Sequence, residues 1–340
     1  MAIFDLTLRS ALHMGEFVGI NREAALEWLP SDTLFAALVT AWAQQGVDVN
    51  ARLAAFSNGA PPLRLSSALP RAGSVRFYPA PPRLPQHSGL FDQGQSPKAA
   101  KKIRWLSQGV LNALINSQTP ERDDDNFLHG RTVWLTSAER GQVEPLLAED
   151  DDGHLSLWHR QVVPHVTVDR ASNTSNLFHT GRVTFGPDCG LWFAARGQID
   201  WVREGLTYLS DAGLGGLRST GHGGFTYMDQ LIELPVPRDG EWGLCLSRYA
   251  PQTEAEITQG LLAERSTYQL VTVGGWCQDD DGHAWRRASV RILAEGALLP
   301  SSVRGQLVDV RPQTVPQFAR RPVYRNGFAF LIPAGGLAGA

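Results

Sequence analysis

Ile3-Phe4-Asp5-Leu6-Thr7-Leu8-Arg9, then a loop carrying Gly15 and Gly19, then Pro30-Ser31-Asp32-Thr33-Leu34-Phe35-Ala36-Ala37-Leu38: these stretches decide how the chain begins to fold. Phe4, Leu6 and Leu8 alternate with Asp5 and Thr7, the period of a half-buried strand. Ser31 is placed to cap a helix and Asp32 to sit in its first turn, where a hydroxyl or carboxylate satisfies free backbone N–H groups. Leu34, Phe35, Leu38 and Trp42 give that helix one apolar face, and Gly46 stands just past its end. Strand, loop and helix in this order open a β-α-β-β-α-β unit.

Working outward, residues 63–68 and 75–78 read as strands. The run Pro79-Ala80-Pro81-Pro82-Arg83-Leu84-Pro85 then breaks regular structure and starts an excursion over 79–126. Inside it, 101–106 suits a strand, 110–115 a short helix, and 116–126 is polar and expected to be mobile. Residues 158–185 form two β-biased arms around a Ser/Asn/Thr tip, the pattern of a long hairpin. A strand over 191–195 and an amphipathic helix over 200–212 lead into a glycine-rich segment, 213–224, and a strand over 225–234. Further strands are expected near 244–249, 268–273, 289–293, 306–310 and 328–332. This alternation is α+β.

Composition narrows the class. The chain has 340 residues, 43% hydrophobic and 19% charged, with ten tryptophans, enough for real cores. Its three cysteines, Cys189, Cys245 and Cys277, are far apart and form no CxxC pair, so neither a zinc site nor a disulfide framework is indicated. That suits a reducing, cytoplasmic setting. The N-terminus reads as a strand rather than a signal peptide, and no apolar run approaches the roughly 20 residues of a membrane helix. A net charge of −3 is low for a stand-alone nucleic-acid binder. The distribution is uneven, however: all three lysines lie within 98–102, and Arg311, Arg320, Arg321 and Arg325 follow Asp309 with no further acid.

Several segments carry candidate chemistry. Six glycines in the twelve residues 213–224 allow close approach of backbone to a ligand, and Arg218, Ser219 and Thr220 would add phosphate donors. The same residues also suit a helix end followed by an irregular strand entry; no P-loop or dinucleotide fingerprint is present. Asp150-Asp151-Asp152-Gly153-His154 and Asp279-Asp280-Asp281-Gly282-His283 lack the spacing of an EF-hand loop and read as tight turns. His13 and His165 are candidates for acid–base work, against a structural or surface role. Lys98, Lys101, Lys102 and Arg104 beside Trp105 suit either a phosphate-tracking patch with a stacking indole or a protective basic edge.

Taken in order, Leu12-His13-Met14-Gly15-Glu16 with 30–38, Lys101-Lys102-Ile103-Arg104-Trp105-Leu106-Ser107, Pro164-His165-Val166-Thr167-Val168-Asp169-Arg170 with Leu177-Phe178, Gly215 to Phe225, Leu246-Ser247-Arg248-Tyr249 and Arg321 to Phe330 resemble the group-5-type RAMP subunit family of the type III-A CRISPR (Csm) effector complex, that of Csm subunit 4. His222 and Leu217 depart from the family's pattern. The resemblance implies two ferredoxin-like (RRM-like) modules, divided at 1–196 and 197–340, with 158–185 as a thumb hairpin. It implies a non-catalytic subunit of an antiviral complex that holds the 5′ repeat-derived tag of the crRNA. Its partners would be the large polymerase/cyclase-like Csm subunit and the adjacent backbone RAMP subunit, Csm subunit 3, with target RNA contacted indirectly. The implied RNA contacts are Lys101, Lys102, Arg104, His165, Arg170, Asn173, Gly215, Gly216, Arg218, Ser219, Thr220, Gly221, His222, Gly223, Tyr324 and Arg325. Ser31 and Asp32 would be a structural helix cap, and no metal or cofactor is expected. The rival within the same superfamily is an endoribonuclease that processes precursor crRNA with His13 or His165.

Overall fold

The computed structural model describes residues 1–340 except 20–21, 58–59, 91–99, 150–154, 169–174, 233–234, 280, 314, 316–317, 319–321 and 340. The first strand, Ala2–Leu8, lies inside a nine-stranded mixed sheet. On one side it pairs with the edge strand Phe225–Leu231, on the other with Cys189–Gly197, both antiparallel. Cys189–Gly197 then pairs with Leu63–Leu65 and Leu69–Ala72. Beyond these come Val75–Pro79, Trp105–Ser107, Val133–Trp134 and Phe127–Leu128.

Helices Ser31–Gln44 and Ile199–Ala212 cover one face of the sheet. They approach closely because Gly205 has no side chain: a Cβ there would meet Leu38 at 2.6 Å. The Trp42 indole donates to the Trp201 carbonyl at 2.8 Å, and Arg52 lies 4.9 Å from the centroids of both Trp42 and Trp201 rings. On the strand below, Phe4 stacks on its cross-strand partner Phe193 at 4.8 Å. The chain order is therefore strand, helix, strand, strand, helix, strand, with the strands side by side as fourth, first, third, second. The helix 199–212, the glycine-rich connection and the strand Phe225–Leu231 complete this first unit. A division at 196/197 cuts through it, because Phe225–Leu231 is paired with Ala2–Leu8 from Leu8↔Phe225 to Ala2↔Leu231.

The alternation in Ala2–Leu8 predicts one solvent face, and here the structure differs. The excursion and the C-terminal part cover that face too, so Trp192, Phe77, Leu244, Leu246 and Phe330 share one core cluster. Asp5 is accommodated by Arg76, whose Nη2 donates to Oδ2 at 2.8 Å while its guanidinium lies 5.7 Å from the Trp192 ring centroid. The polar stretch 116–126 makes specific contacts at two points. The Glu121 carbonyl accepts the Trp134 indole N–H at 2.9 Å, its carboxylate accepts the Ser137 N–H at 2.7 Å, and Asn126 is buried. A polar stretch is pinned when side chains and backbone elsewhere supply the missing partners.

Beyond the first unit, a three-stranded sheet joins Trp242–Cys245 to Leu298–Pro300 and Leu331–Pro333. Three two-stranded pairs follow: Leu270–Val273 with Val290–Leu293, Trp276–Gln278 with Ala284–Arg286, and Leu307–Asp309 with Tyr324–Asn326. The second Asp-Gly-His segment joins Trp276–Gln278 to Ala284–Arg286 as a tight turn, with Gly282 at φ +82° and the Asp279 N–H donating to the His283 carbonyl at 3.0 Å. The first copy lies outside the described residues. Among the described residues no helix is long and apolar enough to cross a membrane.

Candidate nucleic-acid interface

The glycine-rich connection is held by the backbone of residues 9–13. Gly216 N–H donates to the His13 carbonyl, Gly223 N–H to the Ala11 carbonyl, and Gly224 N–H to Ser10 Oγ, each at 2.9 Å. Two glycines are required by this packing itself. At φ +81°, a Cβ on Gly215 would stand 2.5 Å from the His13 carbonyl oxygen. At φ +76°, one on Gly223 would stand 1.8 Å from that of Leu214. Gly216 is different: it needs no left-handed backbone, but a Cβ would press on the His13 ring at 2.6 Å. Gly221, at φ +85°, faces open space. Between the clamps a single turn, Arg218–Thr220, projects outward, with Arg218, Ser219, Thr220 and Gly221 exposed.

The same segment 9–13 is bound on its other side by the base of the long hairpin, Trp158–Val168 with Ser175–Phe185. Leu12 and Val183 exchange two backbone hydrogen bonds at 2.8 Å, and His13 Nδ1 lies 2.6 Å from the Gly181 carbonyl. His222 Nδ1 is 3.2 Å from Thr220 Oγ1. Partial burial, followed by the charge of Arg182 and the nearness of His13, holds the His222 imidazole below its ordinary value. Farther out, His165 stacks on Phe178 at 5.4 Å, and Val162, Val166, Leu177 and Phe178 are exposed. Arg170 and Asn173 lie outside the described residues. Glycine turn, His13, His222, Arg182 and hairpin thus form one assembly, offering cations, hydroxyls and aromatic faces on a rigid base.

Lys101, Lys102 and Arg104 are elsewhere. They line a cleft of about 660 Å³ with Trp28, Arg160 and Arg248. Two of the lining arginines, Arg104 and Arg160, pair with Glu27, 2% exposed, which also accepts the Trp105 indole N–H at 3.0 Å. Lys101 and Lys102 remain exposed.

Arg325, expected at the RNA, is committed to the protein interior. One of its Nη atoms pairs with Asp32 and the other donates to the Gly274 carbonyl. Tyr324, beside it, pairs across the strand with Asp309 and is half-buried. Ser31 and Asp32, expected to cap the helix, do not. Pro30 occupies the cap position without a side-chain bond. Asp32, 1% exposed, instead takes Arg248 at 3.1 Å and Arg325 as paired cations, while the Ser31 hydroxyl accepts the Arg248 N–H at 2.9 Å. The carboxylate is taken up by arginines that arrive from the C-terminal part, which no local pattern announces. Sequence reasoning also passed over Arg182, Arg160 and Glu27. Arg182 lay inside a β-biased arm, and Glu27 showed nothing to mark it as buried.

The sequence pattern of the CRISPR Csm4 C-terminal domain matches residues 238–334, beginning just beyond the last strand of the first unit. The "CRISPR system Cms protein Csm4" of Streptococcus thermophilus is 24% identical over 246 residues, covering 71% of each chain. That of Methanocaldococcus jannaschii is 18% identical over 344 residues, covering 92% of this chain and 89% of its own. In fold the chain is similar to one in a crystal structure of the Csm3–Csm4 subcomplex of the type III-A CRISPR–Cas interference complex. The TM-score is 0.66 at 16% identity, covering 98% and 99% of the two chains. A chain in the Csm1–Csm4 cassette in complex with cA4 superposes with a TM-score of 0.54, also at 16% identity and with 98% and 97% covered. The Csm4 C-terminal domain pattern in residues 238–334, together with Csm4 relatives that are similar along most of their own length, supports placing the chain with Csm4.

Proposed function

We propose that the chain is a non-catalytic RNA-binding subunit of a type III-A CRISPR antiviral effector, holding the 5′ repeat-derived tag of the crRNA. The observation that carries this is the joint clamping of segment 9–13. One edge fixes the exposed Arg218–Thr220 turn, and the other fixes the hairpin that bears Arg182, His165 and Phe178. Single-stranded RNA is recognised through phosphates, 2′-hydroxyls and splayed bases, which call for arginines, hydroxyls, backbone turns and aromatic faces in one place.

In this reading the first unit is a ferredoxin-like module, the C-terminal part is a reduced second one, and the hairpin is a thumb lying between tag and guide. Relatives found with Csm3 and with Csm1 support docking to an adjacent backbone subunit and to the large polymerase-like subunit. A chain that leans on such neighbours can keep a net charge of −3 and still share a basic groove.

The test is co-purification with the neighbouring subunits, reading guide occupancy and tag length. R182A combined with R218A should deplete guide RNA while the protein assembly persists. Undiminished occupancy overturns the site. Cleavage of repeat RNA by the isolated chain, lost on replacing His13 or His165, would establish the precursor-processing alternative instead.

A further inference from the structure

The exposed glycine turn faces a cleft of about 380 Å³ whose opposite wall comes from the C-terminal part: Gly275, Trp276, Arg287 and Arg325. Two features of that wall stand out physically. Trp276 is 58% exposed, and the Arg286 guanidinium lies over its ring at 5.3 Å. Gly275, directly before it in the same wall, has φ +130°, a backbone conformation that favours glycine. A large aromatic left this open in a cleft forgoes much of the apolar burial that stabilises a core.

The second feature is an unmet hydrogen-bond donor on each of two arginines. Arg287 and Arg325 each keep a buried Nε with no hydrogen-bond partner, and Arg325 is only 7% exposed. Among the described residues lining the cleft, Asp32 carries the one carboxylate, and it is shared by Arg325 and Arg248. Burial, and then the charge of Arg325, holds the Arg287 guanidinium below the usual arginine range. Buried cations without a full complement of acceptors are costly, and an incoming anion relieves that cost.

We propose that this cleft receives one nucleotide of the bound RNA, its base stacked on Trp276 and its phosphate drawn to Arg287; the inference rests on the RNA-binding reading above. An open indole and an adjacent arginine whose Nε has no hydrogen-bond partner are the two elements of a stacking platform for single-stranded nucleic acid. The size of the cleft suits a single small-molecule-sized group, not a duplex. Recognition of this kind tolerates any base, so the site would fix the path of the strand rather than its sequence.

The experiment uses the purified full-length chain and a tag-length RNA carrying 2-aminopurine at one position at a time. The wild-type chain should quench one position strongly. W276A should restore fluorescence there and weaken binding roughly tenfold, while W276F keeps most of both. R287Q should lower the slope of log affinity against log salt by about 0.7, one phosphate contact. RNA bound by W276A with unchanged affinity and unchanged fluorescence overturns the stack and leaves the RNA-binding reading standing. The same holds if the wild-type chain binds RNA but quenches no position. If the wild-type chain binds no RNA, both fall together.

Discussion

Two clefts in this molecule are each bordered by arginines that a buried carboxylate holds, yet they are built for different ends. Asp32 lies under the glycine-turn cleft, and its arginines, Arg248 and Arg325, have side chains only 11% and 9% exposed. Glu27 holds Arg104 and Arg160, which line the lysine cleft and have side chains 48% and 49% exposed. At Asp32 the cations are consumed in fastening the C-terminal part to the first helix. At Glu27 they are anchored at one edge and still face water, so an incoming phosphate could reach them. A basic residue in a sequence is thus no guide to whether its charge is free; the burial of its partner decides that.

The largest expected effect is at Asp32. D32N takes the counter-charge from the buried Arg325 and leaves Arg248 only Glu295, at 3.9 Å, and should lower unfolding stability by about 3–5 kcal/mol, read from denaturant midpoints. A helix-end charge alone would account for about 1 kcal/mol or less, so a loss that small removes the contrast between the two acids. If the chain is non-catalytic as proposed, an assembled complex carrying D32N keeps its full set of target cuts.

Within the glycine turn, the contrast is between glycines that serve the fold and one that is exposed. G223A forces a Cβ against the Leu214 carbonyl at a left-handed backbone position and should cost about 3 kcal/mol. G221A meets nothing and should cost about 1 kcal/mol for the backbone alone. Equal losses would show that the turn is free to shift.

A smaller effect is tied to pH. His129 stacks on Trp158 at 4.3 Å, and its Nε2 accepts the Leu157 N–H at 3.1 Å. Burial lowers this imidazole to about 4. The unfolded chain, with an ordinary value near 6.5, therefore takes up the proton first as pH falls. The contribution is complete above about pH 6.5 and is lost as pH drops toward 4. From pH 7 to 5 it should amount to about 1–2 kcal/mol. His129 stands at φ +52°, a left-handed position that Asn also tolerates, so H129N should flatten that slope. An unchanged slope would place the titration elsewhere.

The smallest effect is expected at the lysine cleft. The double variant K101A/K102A should leave stability unchanged and lower the salt slope of RNA binding by about 1.4 units if both contact phosphate, at about 0.7 each. An identical slope would assign that cleft to protein docking and sharpen the division between the two regions.

Much of this was readable along the chain. The alternation in 3–9, the apolar face of the first helix and the arms of the long hairpin are local patterns, and local patterns specify local elements. The glycine segment, too, could be recognised by composition as a place of unusual backbone. Neighbours across space were not readable. Asp5 looked solvent-facing because nothing nearby announces Arg76. Ser31 and Asp32 looked like a cap because the arginines that claim them are more than 200 positions away. The sequence by itself determined the main local elements, their order and the residue types available at the turn and the hairpin. Only the tertiary structure decided which cations are spent on buried acids and which glycines hold the chain's own backbone. It also decided that Trp276 and Arg287 share a cleft with the glycine turn, because charge pairing and burial depend on distance in space, not along the chain.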